Sequence, residues 1–264
     1  MSGLPENTPY SADRSLIGKV RRRLARALTR KPAHLDLARP LLTISFDDAP
    51  ASAAHAGADI LARHGVHGTY FISAGLMGKD SHLGLFARVD EVKALHAAGH
   101  EIADHTYSHL DCGKAGSAAI SGNIEANLRS LKHMGIPKPR TFAYPYGDVS
   151  PQAKAVLNDR YLAARALHHG LIETGTDLNQ APAVGIEGPR GEETARLWLD
   201  RAHKARAWLV LYTHDVRANP SDWGCTPEVL ERLVVRALDL GFDIVTFAEG
   251  ARRAQPATAH RTAA

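Results

Sequence analysis

Cysteine is scarce in this chain. Cys112 and Cys225 are the only two in 264 residues, too few for a disulfide framework. Two small buried thiols in a reducing compartment are the expected role. Each follows closely on a segment singled out below, so the two being spatial neighbours stays open. Long hydrophobic runs are also missing. No apolar stretch approaches the roughly 20 residues that span a bilayer, and the first residues, Met1-Ser2-Gly3-Leu4-Pro5, lack the apolar core of a secretory signal. A cytoplasmic protein is expected on that ground. No short repeat or low-complexity block is present. Acidic residues are absent from one stretch: residues 14–31 hold eight Lys and Arg and no acid, so the rest of the chain carries −4 against a whole-chain charge of +4. The basic character belongs to this segment and not to the domain, and no nucleic acid partner is expected.

What is there is ordinary for a globular protein, with 44% apolar and 23% charged residues. Residues 1–13 are polar and expected to be disordered. Residues 14–35 read as a basic amphipathic helical segment, because Leu16, Val20, Leu24 and Leu28 recur every four residues. Such a helix either packs its apolar stripe on the body and keeps its arginines in water, or meets an anionic membrane peripherally. From residue 41 onward strand and helix patterns alternate. Strands are expected over 41–46, 69–73, 101–104, 141–144, 161–167, 207–213 and 243–247, with a short apolar run over 183–186 in a Gly/Pro-rich stretch. Helices are expected over 51–64, 86–98, 117–134, 151–159, 192–205 and 227–240. About seven β-α units imply an α/β fold with parallel strands in a closed or nearly closed barrel over 36–250, followed by a flexible tail at 251–264.

Three groups of polar residues stand where strand patterns give out. Residues 41–46 run into Asp47 and Asp48, residues 100–104 into His105 with His109 four residues on, and residues 208–213 into His214. Parallel strands bring their C-terminal ends to one face, so these groups converge. A charged pair straight after a buried strand is costly unless compensated, and a divalent metal is the usual compensation. On a helical turn His105 and His109 would share one face and reach one ion. Asp48 can add an oxygen ligand, and two His with one carboxylate leave positions open for water and substrate, the pattern of a catalytic site. Most other histidines, such as His34, His55, His64, His133, His203 and His260, read as solvated. Asp47 points away from its neighbour and is free to accept a proton from the attacking water, unless it merely caps the helix starting near Ser52. His214 sits across the site as a general acid, its imidazole titrating nearest neutrality.

These residues fall in motifs that resemble the polysaccharide deacetylases of carbohydrate esterase family four. The resemblance covers about residues 41–250 and rests on Ser45-Phe46-Asp47-Asp48-Ala49-Pro50, His105-Thr106-Tyr107-Ser108-His109, Phe142-Ala143-Tyr144-Pro145-Tyr146-Gly147 and Leu211-Tyr212-Thr213-His214. It implies a distorted (β/α) barrel, a divalent ion such as Zn²⁺, and removal of acetyl groups from N-acetylated sugars. It makes Asp47 the catalytic base, Asp48, His105 and His109 the metal ligands, His214 the acid, and the Tyr146 backbone N–H an oxyanion donor. Co²⁺ or Ni²⁺ would suit the same ligands, so zinc rests on availability. Two departures stand out. The family's arginine in the third motif falls on Ala143, and Arg165 on the next strand is the candidate to orient Asp47 in its place. The family's fourth motif, an Asp with a following Trp, has no clear counterpart, and Asp177 and Asp215 are weak candidates to orient His214. Two other functions stay open: hydrolysis of an O-acetyl ester or other amide on the same site, and a non-catalytic module that docks on a membrane or polyanion through residues 15–31. Neither the sugar, its chain length nor the oligomeric state is legible here.

Overall fold

A computed structural model describes residues 15–256. After helix α1 (Leu16–Ala27) come strand β1 (Leu41–Asp47), helix α2 (Ala58–Arg63), strand β2 (Thr69–Ile72) and a small hairpin, β3 (Asp80–Ser81) and β4 (Gly84–Leu85). Then follow α3 (Val89–Ala97), β5 (Glu101–Asp104), α4 (Ser117–His133), β6 (Thr141–Ala143), α5 (Pro151–Leu157) and β7 (Ala163–Arg165). The last elements are β8 (Val184–Gly185), α6 (Gly191–Ala205), β9 (Trp208–Thr213), α7 (Pro227–Asp239), β10 (Asp243–Ile244) and α8 (Phe247–Arg253). Among the described residues no helix is long and apolar enough to cross a membrane.

Strands β7-β6-β5-β2-β1-β9-β8 form one parallel sheet, and β10 pairs with the start of β1. The sheet curls until its two edges nearly meet: Ala181 bridges to Arg165 on β7, and four residues later Gly185 pairs with Tyr212 on β9. The result is the expected α/β fold, a distorted barrel with seven strands in its main path. Alternation along each strand decides what faces inward. On β1, Leu42, Ile44 and Phe46 pack outward against Ile60, Leu61, Leu230 and Leu233 of the surrounding helices. Leu41 faces inward with Phe71, Ala103, Ala143, Ala163, Trp208 and Val210. Many of these inner side chains are alanines, so the barrel is narrow, and Trp208 donates its indole N–H to the Thr43 hydroxyl at 3.0 Å inside it.

The structure corrects several expectations. Helix α8 replaces the last part of the strand expected at 243–247 and the start of the flexible tail. Its N-cap Thr246 accepts from the Glu249 amide, and Phe247, Ala251 and Ala254 are buried against Trp208 and the inner core. Gly250 is required there, since a Cβ would lie 2.3 Å from the Trp208 ring. The helix expected at 51–64 contains a wider π-type turn at Ala53–Gly57. Residues 1–13, expected to be disordered, and the end of the tail, 257–264, lie outside the described residues.

The largest correction concerns α1. It packs on the barrel, but through Gly18 and Ala25, which are buried, and through an Arg21–Asp148 ion pair at 3.1 Å. Its apolar stripe faces water: Val20, Leu24 and Leu28 are 56%, 46% and 47% exposed. Cys112 and Cys225 are both free and buried, as expected, and lie in separate core clusters. Burial pushes the Cys225 thiol up to about 12, so it is protonated at neutral pH.

Candidate metal centre

Parallel pairing of β1 with β2 and β9, of β2 with β5, and of β6 with β7 puts their C-terminal ends on one face. Asp47 and Asp48, His105, Tyr146, Arg165 and His214 all stand at or just beyond these ends. The backbone there is strained. Of seven non-glycine residues with positive φ among the described ones, Asp48, Ala49, Thr106, His109 and Tyr146 belong to three loops of this face. Each such residue costs on the order of 1–3 kcal/mol, and such strain gathers at functional sites.

His105 and His109 meet Asp48 by a different route from the helical turn expected of their spacing. Residues 105–110 are irregular, and the left-handed Thr106 (φ 61°) and His109 (φ 57°) fold the segment back on itself. Buried Asp104 braces this loop. It accepts from the Thr106 amide at 2.8 Å, from Asn127 at 2.9 Å and from the Tyr161 hydroxyl at 2.7 Å. The Thr106 hydroxyl accepts from the Leu110 amide at 2.8 Å.

The ligand atoms come together. Asp48 Oδ1 lies 3.8 Å from His105 Nε2 and 3.7 Å from His109 Nε2, and the three donor atoms all fall within 4.8 Å of one another. Whether they suit an ion is decided by three observations. Asp48 Oδ1 is buried and has no hydrogen-bond partner, a costly state for a carboxylate oxygen. His105 Nδ1 can only donate to the Ala143 carbonyl, 2.8 Å away, which leaves a lone pair on Nε2. Burial also pulls His105 down to about 4, so the imidazole is neutral, as a ligand must be. Two ligands about 2.1 Å from one tetrahedral ion stand roughly 3.4 Å apart, close to the separations found here. The residues fit a divalent ion.

Asp47 is separate from this trio. Arg165 Nη2 donates to its two oxygens at 2.7 and 2.6 Å, with both side chains buried. Burial works against the charge of Asp47, yet Arg165, with a smaller contribution from His214, holds its carboxylate below the usual range. Asp47 therefore does not serve as a helix cap. The arginine is delivered by register: Arg165 on β7 is the direct partner of Ala143 on β6, so it occupies the space beside the position where the motif lacks its arginine. Its guanidinium is sandwiched by Phe71 and Tyr212, with ring centroids at 5.0 and 5.2 Å.

His214 lies on the other wall. Its Nδ1 donates to the Trp223 carbonyl at 3.2 Å, so Nε2 is the nitrogen left for chemistry. Tyr146 (φ 58°) stacks edge-on against His109 with centroids 4.4 Å apart. Neither Asp177 nor Asp215 orients His214. Asp177 is engaged by Lys154 at 2.5 Å and the Lys31 amide, and Asp215 by Arg217 and Ser221. The acid that belongs to this wall is Glu187, which the motif search missed. It accepts from the Tyr212 hydroxyl at 2.9 Å, and its Oε2 is buried without a partner. Burial holds Glu187 above the usual carboxylate range, while the nearby His214 acts the other way. A signal was available, because Glu187 directly follows the apolar run 183–186 as the other site residues follow theirs.

Comparison with known proteins bears on the same segment. Residues 35–163 match the polysaccharide deacetylase family model, a stretch that includes Asp47, Asp48, His105, His109 and Tyr146 but ends before Arg165 and His214. A chitin deacetylase from Arthroderma benhamiae is 32% identical over 80 residues, 30% of this chain and 20% of its own length. The chain spans no more than half the length of the curated relatives it matches. Among solved structures, a family 4 carbohydrate esterase from Streptomyces lividans in complex with acetate superposes with a TM-score of 0.53 at 17% identity, over 83% of this chain and 97% of that one. A CE4 family pseudoenzyme from Bacillus anthracis superposes with a TM-score of 0.56 at 15% identity, over 83% of this chain and 67% of that one. At these identities the likeness to solved structures is one of fold. In residues 35–163, the segment that holds the motifs of Asp47, Asp48, His105, His109 and Tyr146, the chain is similar to the polysaccharide deacetylase family.

Proposed function

We propose that this protein is a metal-dependent hydrolase that removes acetyl groups from N-acetylated sugars. One observation carries the proposal: a buried, unpartnered Asp48 oxygen faces two imidazole nitrogens, beside a second carboxylate already held by an arginine. Asp48, His105 and His109 would hold a divalent cation, Zn²⁺ or alternatively Co²⁺ or Ni²⁺. Such an ion supplies Lewis acidity, lowering the pKa of water and polarising an acetyl carbonyl.

The remaining steps belong to the chain. Asp47, kept ionised by Arg165, takes the proton of the attacking water. The Tyr146 backbone N–H donates to the oxyanion that develops, a contact worth about 3–4 kcal/mol in other hydrolases. His214 Nε2 gives a proton to the departing sugar amine. A catalytically silent relative would be expected to lack one of these groups, and this chain has a candidate for each.

The test is acetate release from chitooligosaccharides of graded length, with added Zn²⁺, Co²⁺ or Ni²⁺, beside acetylated xylan. Turnover of the chitooligosaccharides that a chelator abolishes and metal restores is the expected result. Release from acetylated xylan alone would shift the reading to an O-acetyl esterase, and release from neither would refute it.

A further inference from the structure

The exposed face of α1 has no role in the chemistry above, and its composition is unusual for a surface. Val20, Leu24 and Leu28 lie one helical turn apart and are about half exposed. At about 100° per residue, Arg23 borders this stripe roughly 100° from its axis, and Lys19 and Arg26 follow further round. They form a basic face between the stripe and the far side of the helix, and all three are exposed. The helix contains no acidic residue, whereas the rest of the chain beyond residues 14–31 is net acidic.

The helix is also held so that this face points outward. Arg21 pairs with Asp148 at 3.1 Å. Lys154, fully buried, donates to the carbonyls of Ala25 and Leu28 at 2.6 and 2.7 Å and pairs with Asp177 at 2.5 Å. Ala25 is fully buried against the body, leaving no room for the helix to roll over. The apolar stripe is therefore a fixed surface feature and not an exposed stage of some looser packing.

We propose that this face of α1 docks the protein on an anionic lipid bilayer. An apolar stripe beside a basic one matches the two layers of a membrane surface: the stripe enters the acyl boundary while the cations meet the headgroup charge. A nucleic acid would satisfy Lys19, Arg23 and Arg26 but leave Val20, Leu24 and Leu28 in water. A second protein copy would bury the stripe but bring like-charged arginines together. The bilayer alone accounts for both features.

The test is flotation of the full chain with vesicles of phosphatidylcholine containing phosphatidylglycerol, against vesicles of phosphatidylcholine alone. Binding to the anionic vesicles only, weakened by added salt, is expected. The triple substitution Lys19→Gln, Arg23→Gln, Arg26→Gln should weaken it roughly 100-fold. Val20→Ser, Leu24→Ser, Leu28→Ser should weaken it about tenfold or more. The altered side chains are exposed, so the thermal unfolding of both variants should match that of the parent. Four results would overturn the proposal: no flotation of the parent chain, equal flotation on neutral vesicles, unchanged flotation of the serine variant, or a dimer that the serine variant dissociates in a chain that does not float. DNA binding as tight as vesicle binding and unaffected by the serine substitutions would overturn it as well.

Discussion

Asp47→Asn should retain its metal and lose turnover, with acetate release falling about 10²- to 10⁴-fold, the range a positioned general base contributes. The amide keeps the size of the carboxylate and can still accept from Arg165, so the barrel end stays assembled. Asp47 is not among the ligand atoms clustered around Asp48, which is why metal content should be unaffected. What disappears is the buried carboxylate that Arg165 holds, and with it the acceptor for the proton of water. The check is a steady-state rate paired with metal analysis of the same sample. Undiminished activity would remove Asp47 from the role of base, and loss of the metal would place it among the ligands.

Arg165→Met should be the most damaging change to stability. Arg165 is fully buried and gives Asp47 two hydrogen bonds, and removing one partner of a buried ion pair costs about 3–5 kcal/mol. Methionine suits the space between the Phe71 and Tyr212 rings, so most of the loss comes from the stranded charge and not from a cavity. The pH dependence follows from the direction of the Asp47 shift. Its folded-state pKa is depressed, so the pair stabilises fully above the ordinary carboxylate range and loses that contribution as pH falls through the depressed value. Denaturation midpoints of parent and variant should therefore differ most near neutral pH and converge in acid. Without Arg165, burial acts on Asp47 unopposed by its strongest partner and favours the protonated acid, so the acid limb of any remaining activity should move to higher pH. A variant as stable as the parent at neutral pH would show that the pair does not hold the barrel end.

Much of the site is legible in the sequence because a parallel barrel turns a one-dimensional pattern into a place: a buried strand that ends on a charge marks the same face each time. That logic located Asp47, Asp48, His105 and His214, and it located Arg165 through the adjacency of β6 and β7. It would have found Glu187 too, but the run before it forms only the two-residue strand β8. Long-range pairing is where sequence reasoning fails. Asp177 looks available on paper, yet Lys154, 23 residues away, claims it. Spacing told that His105 and His109 converge, but not that strained backbone instead of a helix does it. For α1, periodicity reveals that an apolar stripe exists. Which side meets the barrel is set by the close approach that Gly18 and Ala25 permit and by the pull of Asp148 and Lys154, none of which is encoded in the period. At the other end, the Thr246-Phe247-Ala248-Glu249 start signal of α8 was masked by the apolar residues that precede it.

The proposal that Asp48, His105 and His109 grip one cation is tested most directly by metal titration of the stripped protein, followed by calorimetry and elemental analysis. One equivalent bound by the parent chain, and none retained by Asp48→Ala, is the expected result. Full occupancy in Asp48→Ala, or a parent chain that takes up no divalent ion at all, would contradict it.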